Sequence, residues 1–167
     1  MSKPNILVIQ ADQLTALCLQ AYGTPYALTP HMDRIAARGT TYLNSYCNSP
    51  VCGPSRASMM TGRLPSNVGV YDNAGEFLSS EPTYAHYLRT LGYQTSLVGK
   101  MHFVGPDQLH GFERRLTTDI YPSDFSWTAD WSRYEEEYSP SRMSLLSVVE
   151  AGTCERSLQV DYDDHVS

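Results

Sequence analysis

Cys52 and Arg56 flank Pro54 in the stretch "SPVCGPSRASMMTG", which runs from Ser49 to Gly62 and contains the start of a helix. Those residue types in that place suit an anion. A helix N-terminus offers unpaired N–H groups and a partial positive charge, and Arg56, about one turn along, can point back at the same spot. Two further polar groups stand where apolar segments end: Asp12 after "NILVIQ", and Lys100 with His102 after "QTSLVG". In open α/β sheets, ligands bind outside the carboxyl ends of the strands, so these side chains and Cys52 fit one shared pocket. An anion pocket that also holds a carboxylate implies a divalent cation between the two. Taken singly, each residue has a plainer explanation. Cys52 would be a small buried hydrophobe, Asp12 a loop carboxylate and Lys100-x-His102 a surface pair.

The elements that must position these groups alternate between strand and capped helix. Ile6–Ile9 is a continuous apolar run, the pattern of a strand buried on both faces in a parallel sheet. "TPHMDRIAARG" predicts a helix with Thr29 as N-cap, Pro30 at its first position and Gly39 closing it. "TTYLNSY" has strand character, from its β-branched and aromatic residues. The Cys52 helix should take Pro54 in its first turn and stop at Gly62. "EPTYAHYLRTLGY" repeats the grammar from Pro82 to Gly92, with Tyr84, Tyr87, Leu88 and Leu91 spaced for one helical face. "QTSLVGKMH" returns to strand and breaks at Gly99. This alternation predicts a layered α/β fold. Beyond about Leu116 the pattern fades into the aromatic loop "YPSDFSWTADW" and a polar, acidic stretch, and "DYDDHVS" has the composition of a helix opening.

Bulk properties narrow the classes. The chain has 167 residues, 41% of them hydrophobic, and ten prolines, which suits a single loop-rich globular domain and not a disordered one. The formal charge is −6 with Lys and Arg scattered, so there is no electrostatic case for nucleic acid. No apolar stretch approaches the roughly 20 residues of a membrane helix. No secretory signal is legible ahead of Asn5, and Cys18, Cys47, Cys52 and Cys154 form no zinc spacing, so a cytoplasmic protein without a disulfide framework is expected.

Several blocks then resemble a known family. Cys52-Gly53-Pro54-Ser55-Arg56 matches the C-x-P-x-R signature of the type I, formylglycine-dependent sulfatases, and "ASMMTGRLPS" its usual extension. "NILVIQADQ" resembles the family's first strand with its metal-binding aspartate, "TPHMDRIAARGTTYLNSY" the segment before the signature, and "GKMH" the family's G-K-x-H. Four blocks in the right order are far more specific than the signature alone. "VYDNAGEF" and "GKMHFVGPDQLHGFERRLTTDIYPSDFSWTADW" resemble the choline-sulfatase branch, and the resemblance runs from about Pro4 to the end of the chain.

The resemblance implies an alkaline-phosphatase-like layered fold with a mainly parallel central sheet flanked by helices, of which residues 1–167 are the N-terminal part of the catalytic domain. It implies that Cys52 is oxidised to formylglycine by a formylglycine-generating enzyme that reads Pro54 and Arg56. In the hydrated aldehyde one hydroxyl attacks sulfur and expels the alcohol, and the second then collapses to release sulfate. Arg56 would steady the nucleophile, Lys100 and His102 would hold diol and sulfate and move protons, and Asn73 would donate to a sulfate oxygen. Trp127 would face the trimethylammonium of choline sulfate. Asp12, with the modified Cys52, would ligate Ca²⁺, with Mg²⁺ or Mn²⁺ as alternatives. Gln13 replaces a second aspartate common in the family. His31, His86, His110 and His165 are expected to be structural. Family members are much longer, and their later segments complete the metal site, so an inactive fragment and another hydrolase of the superfamily, aryl sulfatase or phosphonate or phosphodiester hydrolase, stand as alternatives. For the full-length form a homo-oligomer is an open expectation.

Overall fold

Residues 3–117, 119 and 158–167 are described by a computed structural model, which divides into two compact units, Met1–Tyr46 and Cys47–Ser167. No helix among the described residues is long and apolar enough to cross a membrane.

In the first unit, two 3-10 turns, Ala16–Cys18 and Gln20–Tyr22, precede helix α1, Pro30–Ala36. Pro30 opens α1 as expected, because a first-turn residue needs no N–H. Thr29 holds the N-cap position without capping its own helix. Its hydroxyl instead accepts from the Gln20 N–H at 3.1 Å and donates to the Asp33 carboxylate at 3.2 Å, tying the second turn to α1. The Tyr22 hydroxyl donates to Tyr42 O at 3.0 Å.

Two expected strands do not form. Ile6–Ile9 lies in no ladder, with Leu7 83% exposed, and Thr40–Tyr46 is likewise outside any ladder. An extended segment becomes a strand only when a neighbour takes its N–H and C=O groups, and among the described residues neither segment has such a neighbour.

The second unit carries a core of Ala57, Met60, Val68, Val70, Phe77, Ala85, Leu97, Met101, Phe103 and Phe112. Helix α2, Cys52–Thr61, packs on α3, Pro65–Val68, and on α4, Tyr84–Thr90. Gly62 ends α2 at φ 69°, the left-handed cap that glycine adopts without strain. The N-cap of α4 is Thr83, one residue past Pro82, in a reciprocal box: Thr83 N–H donates to His86 Nδ1 at 3.1 Å while the threonine side chain serves the His86 backbone. The apolar face expected on this helix is only partly buried, since Ala85 and Tyr84 meet the core while Tyr87 and Leu91 are exposed. Strand β1, Ser96–Leu97, pairs in parallel with β2, Arg114–Arg115, in the register Ser96 to Arg114. "GFERRL" has no alternating apolar pattern, so β2 was not legible in the sequence. Helix α5, Leu158–Val166, starts before the expected opening at Asp161.

Candidate active site

Helix α2 begins at Cys52, after Val51 in an extended conformation with no side-chain cap. Its early N–H groups therefore need outside partners, and one comes from the loop after α3. Asn73 Oδ1 accepts from the Gly53 N–H at 2.9 Å. Glycine at 53 eases this close approach, because a Cβ there would lie 3.1 Å from Asp72 O and 3.4 Å from Asn73 Cα, tighter than usual contact. The Asp72 carboxylate braces the loop by accepting from Ala74 N–H at 2.9 Å.

The segment after β1 closes the other side. Lys100 Nζ lies 4.0 Å from Cys52 Sγ. His102, buried and held at φ 55°, places Nε2 2.9 Å from Asn73 O. A carbonyl can only accept, so His102 Nε2 carries the proton and, in the neutral ring, Nδ1 is the basic nitrogen. Burial pushes the His102 pKa down, the Asn73 hydrogen bond opposes this, Lys100 and Arg56 add to the depression, and Asp119 works against it. The net direction keeps the ring neutral at pH 7.

Arg56 joins α2 to this segment. Its side chain is buried, and Nη1 donates to Lys100 O at 2.7 Å and approaches Met101 Sδ at 3.6 Å. This contact ties α2 to the Lys100–His102 segment from below. Cys52, Arg56, Asn73, Lys100 and His102 thus come together in one unit, linked through Gly53 and Met101. The sequence suggested each residue but not the link by which the Asn73 amide oxygen serves α2 while its carbonyl serves His102.

Asp12 lies exposed in a turn of the first unit, beside Gln13 at φ 57°. Among the described residues no three His, Cys, Asp or Glu side chains converge to hold a metal ion. Ca²⁺ takes six to eight oxygens, so the residues described here do not by themselves make its cage. Trp127 lies outside the described residues. His110 is structural as expected: it is fully buried, stacked on Phe77 at 4.1 Å and edge-on to Phe103 at 4.5 Å.

Cys52 stands at a helix start with the Lys100 ammonium 4.0 Å from its sulfur, and Asn73 touches both that helix start and buried His102; the sulfatase family profile matches residues 4–154. The chain belongs to the sulfatase family. It is 52% identical to the choline-sulfatase of Rhizobium meliloti over 99% of its own length and 32% of that protein. It is 37% identical to the N-acetylglucosamine-6-O-sulfatase of Bacteroides thetaiotaomicron over 74% of its length and 23% of that protein. This sulfatase chain therefore spans a third or less of the length of these two relatives. Among solved structures it resembles an enzyme in complex with D-glucosamine-2-N,6-O-disulfate, with a TM-score of 0.65 and 36% identity over 68% of this chain and 23% of that one. It also resembles the phosphonate monoester hydrolase of Agrobacterium radiobacter, with a TM-score of 0.63 and 26% identity over 78% of this chain and 28% of that one. The layered α/β fold read from the alternating elements is the fold of these sulfatase relatives, represented here by its N-terminal portion.

Proposed function

We propose that the protein is a sulfuric ester hydrolase that cleaves choline sulfate to choline and sulfate, with Cys52 as the precursor of a formylglycine nucleophile. The observation that carries this reading is the meeting of Cys52, Lys100, His102 and Asn73 in a chain 52% identical to a choline-sulfatase. The formylglycine would supply a hydroxyl nucleophile with its own route of release.

The chain's own residues do the rest. Lys100 sets a positive charge beside the reacting position, where it offsets negative charge that builds on sulfate oxygens. Neutral His102, with Nε2–H donated to Asn73 O, keeps Nδ1 as the nitrogen able to take a proton. The Asn73 side chain, with its oxygen on Gly53, has its amide N–H groups left for a sulfate oxygen. Arg56 acts on the nucleophile by fixing α2 to the Lys100 carbonyl. Asp12 would supply one ligand to a divalent cation, Ca²⁺ in this reading, whose full ligand set must include groups from beyond the described residues, and no step is assigned to it. Pro54 and Arg56 are buried in the folded chain, so maturation by a formylglycine-generating enzyme precedes folding in this reading.

The test is the full-length protein made beside a maturing enzyme. The peptide bearing Cys52 should lose sulfur and two hydrogens and gain one oxygen, and the protein should release choline and sulfate. Cys52→Ala should cut turnover at least about 10⁴-fold with the fold retained. Trp127→Ala should weaken choline sulfate use by about 3- to 30-fold and a neutral aryl sulfate much less. An unmodified thiol in fully active enzyme would overturn the mechanism. The likeness to the phosphonate monoester hydrolase favours one second reading. Equal kcat/KM on a phosphonate monoester would move the assignment there.

A further inference from the structure

The ladder between β1 and β2 is continued by side chains. Leu116 N–H donates to Leu97 O at 2.9 Å, the last backbone bond between the two segments among the described residues. The next N–H groups on that edge of the β1 segment belong to Gly99 and Met101, at the spacing of two that a strand dictates. Gly99 N–H donates to Thr117 Oγ1 at 2.6 Å, and Met101 N–H to Asp119 Oδ1 at 2.6 Å. A side-chain acceptor reaches farther than a carbonyl, so the two backbones can part while the bonds persist.

Asp119 is itself gripped. Its other oxygen lies 2.8 Å from Arg115 Nη2, with the two side chains 6% and 9% exposed. Arg115 Nε donates to Thr117 O at 3.0 Å, and Nη1 donates to Gln108 O at 3.1 Å and Gln108 Oε1 at 2.7 Å. The guanidinium also lies over the Phe103 ring, 5.6 Å from its centre. An enclosed ion pair of this kind adds little net stability over an apolar pair of the same shape. Its distinctive product is a carboxylate held in one orientation, aimed at one backbone N–H.

That N–H belongs to Met101, between the two site residues. Lys100 gives its carbonyl to Arg56 and its ammonium to the Cys52 side, and His102 sits at positive φ, a conformation that its surroundings must impose. We propose that Asp119, clamped by Arg115, is a positioning residue that fixes the Lys100–His102 segment against the start of the Cys52 helix. Its effect on turnover rests on the proposed function, whereas the tether itself does not.

The experiment uses the full-length, modified protein, with kcat and KM for choline sulfate measured per folded active site and hydrogen exchange followed over Gly99–His102. Asp119→Ala should raise exchange in that segment and lower kcat by about 10- to 100-fold with KM little changed, the scale of a small misplacement of catalytic groups. Asp119→Asn keeps an acceptor for Met101 N–H and should restore most of kcat. If the alanine variant does not fold, Asp119→Glu decides: it keeps the charge for Arg115 but moves the acceptor by a methylene, and kcat must fall. Unchanged kcat per site in the alanine or glutamate variant, or unchanged exchange, would overturn the proposal. An unsubstituted protein with no activity on sulfate esters would overturn the proposed function, and the exchange data would still accept or reject the tether.

Discussion

Gly53 is the residue on which the nucleophile position most plainly depends. The Asp72–Asn73 backbone crosses so near its Cα that a methyl group would press on Asp72 O at 3.1 Å. Gly53→Ala should therefore push the loop away and lengthen the Asn73 Oδ1 bond to the Gly53 N–H. We expect a loss of about 1–3 kcal/mol in denaturant unfolding, the usual cost of overpacking, and a fall in kcat that exceeds any change in KM. An alanine variant with unaltered stability and kcat would show that the contact is slack. The sequence marked Gly53 only as part of a signature. The crowding at Gly53 comes from a loop 20 residues later, and nothing near position 53 announces it.

At the scale of elements, α4 and the loop that follows Phe103 are joined through Thr83, whose hydroxyl donates to His110 O at 2.6 Å. The His110 ring is fully buried against Phe77 and Phe103, and neither ring nitrogen has a hydrogen-bond partner among the described residues. Burial lowers its pKa, Asp107 at 3.7 Å opposes this, and His86 and Arg115 reinforce the depression. The folded state thus resists protonation while the unfolded chain takes a proton near the ordinary value of about 6.5. Between the lowered pKa and about 6.5 the unfolded state binds more protons, so stability must rise with pH there. The contribution is complete above about pH 6.5 and is lost progressively as pH falls below it. His102 acts in the same direction. Urea unfolding between pH 5 and 7.5 should show this slope, and His110→Phe, which keeps a ring against Phe77 and Phe103, should flatten it. An unchanged slope in that variant would mean that the ring is not buried neutral.

For the whole chain, the exposed apolar segments dominate. Ile6, Leu7, Val8 and Ile9 are 57%, 83%, 63% and 77% exposed, and Tyr42, Leu43 and Tyr46 are also open to water. Segments of this composition with free backbone edges pair with whatever strand they meet. The isolated 167-residue polypeptide is therefore expected to bind a hydrophobic dye and to associate as concentration rises, seen by size exclusion. Leu7→Lys together with Ile9→Lys should reduce both. A monomer that melts cooperatively without dye binding would contradict this expectation. The amino-acid sequence by itself determined what depends on near neighbours. It set the start of α1 at Pro30, the start of α2 at Cys52 and its stop at Gly62, and the block order that identified the family. These follow from prolines, glycines and short motifs acting within a turn or two of chain. Tertiary structure alone decided which strands form, since a strand needs a partner that its own residues do not encode. It also decided that Arg56 serves the Lys100 carbonyl, that Asn73 bridges Gly53 and His102, and that Asp119 holds Met101. Those contacts span 44, 20, 29 and 18 residues, respectively, and a hydrogen bond closed over such a distance leaves no periodicity or spacing in the sequence.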